Sequence, residues 1–557
     1  MNLLDEPWLP VCDAEGTRRW VTPADLADPT LRVFDADRAD FNGALAQFAI
    51  GLLQTVTPAE NTQEWRGLFR HPPCADTLAG WFAPIREVFD LDGDGARFMQ
   101  DRVLVAKDKG INDIGFLLIE APGEQTIKKN RDHFIKRDQI GPLCPGCAAT
   151  ALFTLQINAP SGGSGHRTSL RGGGPLTTIV GCQPARSLWH DLWLNVLDSK
   201  VFLEHSGDQA RKELHLTFPW QVNITELQKE NGELSPIQLH PVHVFWSMSR
   251  RIRLDFDDTS AGLCGICMRH SDRLIRRYVT RNHGLNYKGC WDHPLTPHYL
   301  KQPVPPQPEE PKKEPPWLPV HPQEGGIGYR HWLGWVLGAT TDANRHLRSA
   351  RVVTHLRNHR GRDIEGQLRL WAFGYDMDNK KARCWYEARL PLYGLAACDP
   401  EAQRRVEETV RPWLAGANLA VFFLRAAVKS AWFDDKKGSN DGERRKKMKA
   451  LKALDAAVNA GFWSRTEPIF YRQLSKVIEC ARADEDIDAS TFATGWLEHL
   501  REVALDLFDG QFVGAGAIER QNPRRIAKAY QKFKRELGGK KIREALGLPA
   551  PAKVGIA

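Results

Sequence analysis

Residues 144–178 read CPGCAATALFTLQINAPSGGSGHRTSLRGGGPLTT, and three features in them set the fold. A cysteine pair, Cys144 and Cys147, opens the stretch. An apolar run follows, with Ala151, Leu152, Phe153, Leu155 and Ile157 able to anchor what comes next in a core. Then comes Ser161-Gly162-Gly163-Ser164-Gly165-His166-Arg167, where small or absent side chains let the backbone approach a partner closely. Such a loop can aim several N–H groups at a phosphate or a groove edge, with Arg167 and Arg171 adding charge. A Gly/Ser run also serves as a plain solvent turn. The flanking cysteines and arginines favour a ligand-facing loop.

A second pair, Cys264-Gly265-Ile266-Cys267, lies far downstream. Two such knuckles are the usual half-sites of a four-thiolate zinc centre. Their separation exceeds that of a small zinc ribbon, so Cys144, Cys147, Cys264 and Cys267 would meet only through the fold. A redox role lacks a thioredoxin-like context, and uncoordinated core thiols are the bland alternative. Structural zinc is the expectation.

Arg269, Arg273, Arg276, Arg277 and Arg281 follow, with Tyr278 and Asn282 interleaved. Spacings of three and four place these arginines near one helical or loop face. Guanidiniums so gathered repel one another unless an anion neutralises them, which points to a phosphate backbone. Upstream, residues 123–139 carry Lys128, Lys129, Arg131, Lys136 and Arg137 around Phe134 and Ile135. That run is either a solvated face or a contact for nucleic acid or a partner. The segment Asp90–Phe98 resembles a calcium loop but lacks the terminal glutamate, so it reads as an acidic turn.

A chain of 557 residues exceeds one hydrophobic core, so two or three domains are expected. Hydrophobic content of 42% and charged content of 26% fit a globular protein, and a net charge of +8 is mild. The amino end holds Asp5, Glu6 and Pro7 where a signal peptide needs an apolar core, and no run of about twenty apolar residues occurs. Eleven scattered cysteines argue against a disulfide framework. The expected compartment is the cytoplasm, with no membrane partner.

Leu214–Phe218 and Val242–Trp246 read as strands, and 301–325 as an extended Pro-rich insertion. A hairpin is expected from Leu368–Phe373 through the turn 374–381 to Ala382–Tyr386. At Asp399-Pro400-Glu401 the composition turns helical, with an N-cap acceptor, a first-turn proline and an acidic residue. Trp496, Leu500, Val503 and Leu507, then Ile526, Tyr530, Phe533 and Leu537, recur at bundle spacing. Basic residues mark the outer faces: Arg444, Arg445, Lys446, Lys447, Lys449 and Lys452, then Arg524, Arg525, Lys528, Lys532 and Arg535. The fold class is therefore α+β: a mixed N-terminal domain over 1–398 and a C-terminal four-helix bundle over 399–557.

No phosphate-binding Walker loop, HExxH, nucleophile elbow or dinucleotide fingerprint is present. Every informative feature is a binding feature.

Together the start NLLDEPWLPV, Arg97-Phe98-Met99-Gln100, CPGC followed by ALF, and Ala159-Pro160 with its Gly-rich loop form a recognisable set. Leu170-Arg171-Gly172-Gly173, Pro175 with Thr177-Thr178, the second CxxC, Trp291 with His293-Pro294, and Gly374-Tyr375 complete it. In these residues the chain resembles the CasA family, the large subunit of the type I-E CRISPR surveillance complex Cascade. The resemblance implies a non-catalytic subunit that recognises the protospacer-adjacent motif of double-stranded DNA, largely from the minor groove. Carried over by position, the glycine loop is Ser161, Gly162, Gly163 and Ser164, and the basic-residue position is Asn282, beside Arg281. The hairpin wedge falls on Asn379, beside Lys380, and the loop contacting guide RNA and DNA on His133, Phe134, Ile135 and Lys136. Serines replace glycines in the loop, Asn282 stands where the family can have lysine, and Asn379 replaces a glutamine wedge. Guide RNA, other Cascade subunits and a helicase-nuclease are the partners so implied. Two other classes share the thiolates and basic patches. One is a zinc-containing nuclease or nucleic-acid-modifying enzyme, the other a scaffold touching only guide RNA and protein.

Overall fold

The computed structural model describes all residues except 106–109, 123–127, 129–139, 163–164, 205–212, 230–231, 301–315, 340–345, 379–380, 434–440, 515–521 and 551–557, and the side chains of 363 and 441–447. The chain forms two compact units. The first comprises 1–322, 350–356 and 366–389; the second takes in 323–349, 357–365 and 390–557.

In the first unit, Phe41–Leu53 (FNGALAQFAIGLL), whose apolar residues recur at helical spacing, is the middle of a helix, Ala39–Val56, that is apolar on nearly every side and buried along most of its length. A helix of that kind belongs inside a core. Phe48 is its hub: Trp8, Phe89, Phe98, Phe153 and Trp246 meet its ring edge-on, with centroids 5.3 to 6.0 Å away. Such edge-to-face pairs add about 0.5–1.5 kcal/mol each beyond area burial. Trp8 comes from the amino-terminal segment, beside a small antiparallel sheet of Leu9–Asp13 between Arg18–Val21 and Leu31–Phe34. Phe153 comes from the helix Pro145–Asn158, which packs on Ala39–Val56 and carries the expected apolar run. The run's other end leads through the Gly-rich segment into the buried strand Thr177–Gln183. That strand pairs antiparallel with Gln367–Asp378, which also neighbours Lys381–Tyr393. The expected hairpin strands are thus adjacent but longer than expected: residues 374–378 and 381, expected in the turn, are strand, and 379–380 lie outside the described residues.

Two expected strands are helical instead. Leu214–Thr217 is one α-helical turn, and Pro241–Phe245 is a 3-10 turn. In the second case Pro241 has no N–H to give a ladder, and His240 Nδ1 accepts the Val242 N–H at 3.2 Å, capping the turn. Short apolar alternation cannot separate these states. Of the Pro-rich segment, 301–315 lies outside the described residues, while Trp317–Pro319 forms a strand paired with His298–Leu300.

In the second unit the helix start expected at residue 399 is present: Asp399 caps Pro400–Trp432, accepting the Ala402 N–H at 2.8 Å. Pro400–Trp432 packs on Asp441–Arg482, Ala489–Asp506 and Pro523–Leu537, making a C-terminal helical region. The predicted stripes face inward. Trp496, Leu500, Val503, Leu507, Phe533 and Leu537 are buried, and Trp496 donates its indole N–H to the Trp413 carbonyl at 3.0 Å. Tyr329 reaches the same core, with its ring 4.4 Å from Phe470 and its hydroxyl 2.7 Å from Thr466. By length and apolarity Pro400–Trp432 alone among described helices could cross a membrane, yet 56% of its most apolar window is buried inside the protein. Arg524, Lys528, Lys532 and Arg535 are exposed, as expected. Arg525 instead donates to the Ala431 carbonyl at 3.0 Å, satisfying the end of the first long helix.

Candidate metal centre and nucleic-acid interface

Cys144 is the N-cap of Pro145–Asn158, with Pro145 at the first helical position. Its sulfur accepts the Cys147 N–H at 3.5 Å, so one helical turn sets the first knuckle. The second knuckle is the turn between the antiparallel strands Thr259–Leu263 and His270–Ile275. Cys264 accepts the Met268 N–H on its carbonyl at 3.1 Å, and its own N–H goes to the Arg269 carbonyl. Any side chain at Gly265 would strike the backbone of Gly141, 2.7 Å from a Cβ, so glycine is what lets the two segments close. Leu143 and Ile275 exchange backbone hydrogen bonds at 3.0 and 2.8 Å, locking the knuckles side by side. The separation in sequence is bridged by the fold.

The four sulfurs lie within 4.8 Å of one another, and those of Cys144 and Cys267 are 3.7 Å apart. Metal–sulfur bonds of about 2.3 Å give tetrahedral edges of roughly 3.8 Å, so the set fits a four-coordinate ion. Hydrogen bonds from Cys144, Cys147 and Cys267 draw the Cys264 thiol far down, and accepting from Cys144 and Cys147 brings Cys267 down to about 7. Cys147 is pushed up, first by Cys144 and then by Cys264 and Cys267. Thiols that close cannot all ionise unless a cation joins them. The cluster could hold a metal ion.

The Gly/Ser loop follows the other end of the helix Pro145–Asn158. His283 donates its N–H to the Gly165 carbonyl at 2.7 Å, and the Gly162 N–H reaches the His166 carbonyl at 3.1 Å. Gly165 has φ +83°, and a Cβ there would lie 2.6 Å from the Cβ of Asn282. Gly165 thus brings the loop against Asn282 and His283, although these are far apart in sequence. Behind the loop, a Cβ on Gly174 would meet Tyr375 at 2.6 Å, tying the loop's stem to the strand Gln367–Asp378. Gly163, Ser164, Asn379 and Lys380, with His133, Phe134, Ile135 and Lys136, lie outside the described residues.

Two expectations are corrected. Arg171 does not add surface charge: it is buried, donating to Gln47 Oε1 at 2.6 Å, Thr177 Oγ1 at 3.0 Å and Thr296 Oγ1 at 2.9 Å. Burial pushes its guanidinium down to about 9, and its work is to fix the Gly-rich segment to the core. Of the arginines after Cys267, Arg273, Arg277 and Arg281 lie on the strands His270–Ile275 and Arg277–Arg281 and Arg269 and Arg276 at their ends, not on one helical or loop face, and much of their charge is answered within the chain. Arg273 pairs with Asp92 at 2.5 Å, and Arg276 and Arg277 reach Asp258 at 3.4 and 3.6 Å. Arg269 stacks 4.2 Å over Trp20. The acidic turn at Asp90–Phe98 supplies one of these counter-charges.

Sequence reasoning missed Arg250. It donates to the Pro160 carbonyl at the mouth of the loop, and its backbone lies against Gly284. Its one sequence signal is the run Ser249-Arg250-Arg251, which carries no motif.

The whole architecture has solved counterparts. A CasA from Thermus thermophilus is similar over 97% of this chain and 99% of its own, with TM-score 0.68 at 17% identity. The Cse1 of Thermobifida fusca is similar over 98% of both chains, with TM-score 0.69 at 16% identity. A chain from a structure described as a CRISPR RNA-guided surveillance complex is similar over 96% of this chain and 99% of its own, with TM-score 0.63 at 15% identity. These likenesses establish the fold as that of the CasA or Cse1 proteins, two names for one type of chain. The sequence model of the CRISPR-associated protein Cse1 family matches residues 2–507, and the chain belongs to that family.

Proposed function

We propose that this chain is the non-catalytic large subunit of a type I-E CRISPR surveillance complex, recognising the protospacer-adjacent motif in duplex DNA. The observation that carries the reading is the docking of the glycine loop on Asn282–His283 through Gly165. A backbone-rich finger beside one short polar side chain suits the degenerate minor groove, where permissive rather than base-by-base reading is possible. Gly174 against Tyr375 ties that finger's stem to the strand leading to Asn379 and Lys380, which we assign as the wedge. A wedge pressed beside the motif offsets lost base stacking and lets guide RNA pair with the target strand. The metal that Cys144, Cys147, Cys264 and Cys267 would hold is structural zinc: four thiolates would fill a tetrahedral shell and leave no position for a hydrolytic water. Residues 1–398 form the recognition domain, with His133 to Lys136 at the guide-RNA handle. Residues 399–557 form a four-helix bundle whose basic faces hold DNA. Other Cascade subunits and a helicase-nuclease are the further partners, in the cytoplasm.

In the assembled complex, Asn379→Ala combined with Lys380→Ala should weaken target-duplex binding by about tenfold, the size of one lost wedge-and-phosphate contact set. The same complex should keep its affinity for a target whose strands are already separated. Unchanged duplex affinity would favour the scaffold reading. Metal-dependent cleavage of DNA by the chain alone, abolished by one carboxylate or histidine change, would favour the nuclease.

A further inference from the structure

Three segments converge at the Gly/Ser loop, and each brings a basic side chain. The loop brings His166 and Arg167, the strand entrance at Ser249–Arg251 brings Arg250, and the turn after Arg277–Arg281 brings His283. Gly165 and Gly284 hold them together: the Gly165 carbonyl takes the His283 N–H at 2.7 Å, and a Cβ on Gly284 would lie 2.0 Å from the Ser249 carbonyl. The charged groups facing His166 are Arg250 and His283, both basic. Arg250 is faced by Tyr278, and Arg281 and Asn282 stand beside His283 on the turn. Among the described residues no carboxylate faces His166 or Arg250. The Nε atoms of Arg250 and of Arg167 are buried without a hydrogen-bond partner. This differs from the arginines at 273–277, which the chain neutralises with Asp92 and Asp258. His283 is exposed and His166 half-buried, so the cluster opens to solvent at the loop.

We infer that His166, His283 and Arg250 form a phosphate-diester site beside the loop that takes up a proton as nucleic acid binds. The inference rests on the duplex-binding reading given above and adds a regulation to it. Burial, then the charges of Arg250 and His283, hold His166 below the usual histidine range, so it is neutral in the free protein near neutral pH. A phosphodiester brought against it reverses that field and stabilises the imidazolium. The bound state then holds more protons than the free state, so affinity rises as pH falls through the window between the free and bound titrations.

The test uses the reconstituted complex and a fluorescent target duplex, at fixed ionic strength, from about pH 8 to about pH 6. Affinity should rise by about fivefold toward the acid end, less than the tenfold per unit that one full proton allows. Calorimetry in two buffers of different ionisation heat should show net proton uptake on binding. His166→Gln with His283→Gln should flatten both signals. Binding without proton uptake, or uptake unchanged in the double variant, overturns this inference and leaves the duplex-binding reading intact. Absence of duplex binding across the range overturns both. Inorganic phosphate that displaces the duplex from the wild type but not from the double variant would assign the site to free phosphate instead and overturn the diester assignment.

Discussion

Cys264→Ser should strip the metal from the protein, taking it from about one ion per chain to almost none, and cost on the order of 3 kcal/mol or more of stability. Cys264 is the fully buried member of the four and the one whose sulfur receives the Cys144 N–H, at 3.3 Å. Its thiolate is drawn down by three neighbouring cysteines, so it is the natural anchor for a cation. A serine hydroxyl is shorter, harder and scarcely ionised, and it would leave the other thiols crowded around an incomplete tetrahedron. The loss is more than one ligand. A metal held by the four thiolates would join the N-cap of Pro145–Asn158 to the hairpin Thr259–Ile275, and the helix that Cys144 caps delivers Phe153 to the Phe48 cluster. Elemental analysis and denaturant unfolding measure both effects. A metal-free protein that unfolds at the same midpoint as the wild type would remove the structural role.

Gly165→Val should cost target-duplex affinity at least about tenfold while lowering stability by only about 1–2 kcal/mol. The residue sits at φ +83°, where a β-branched side chain is strained, and its Cβ would fall 2.6 Å from Asn282 and 3.1 Å from the His283 ring. Relief requires the loop and the turn to part. The core does not depend on that contact, because Arg171 holds the next segment to Gln47, Thr177 and Thr296 independently. Binding and unfolding measured on one preparation separate the two effects. Equal affinity for wild type and variant would show that the loop–turn contact is not used on DNA.

Much of this was legible in the sequence because periodicity and capping are local. The Asp399-Pro400 start, the inward stripe from Trp496 to Leu507 and the apolar helix around Phe48 follow from residue spacing alone. The four cysteines were legible by chemistry, since no other common role uses two CxxC knuckles so well. What stayed hidden depends on contacts between distant segments. Arg171 looks like any basic residue beside a glycine run; only the fold reveals that Gln47, Thr177 and Thr296 surround it. The arginines at 273–277 read as an unanswered patch because Asp92 and Asp258 come from other segments. Conversely, Arg250 and His283 gave no signal, yet they flank the loop whose glycines did. Leu214–Thr217 and Pro241–Phe245 show the other limit: alternating residues over a handful of positions fit a strand or a single helical turn equally well.

The central claim is that the Gly/Ser loop and its neighbours read a short motif in duplex DNA. Selection of target duplexes with a randomised flank by the reconstituted complex tests it most directly. The account predicts enrichment of a few permissive flanking sequences, lost with Gly165→Val while binding to pre-separated strands persists. Equal recovery of every flank by the wild-type complex would contradict it.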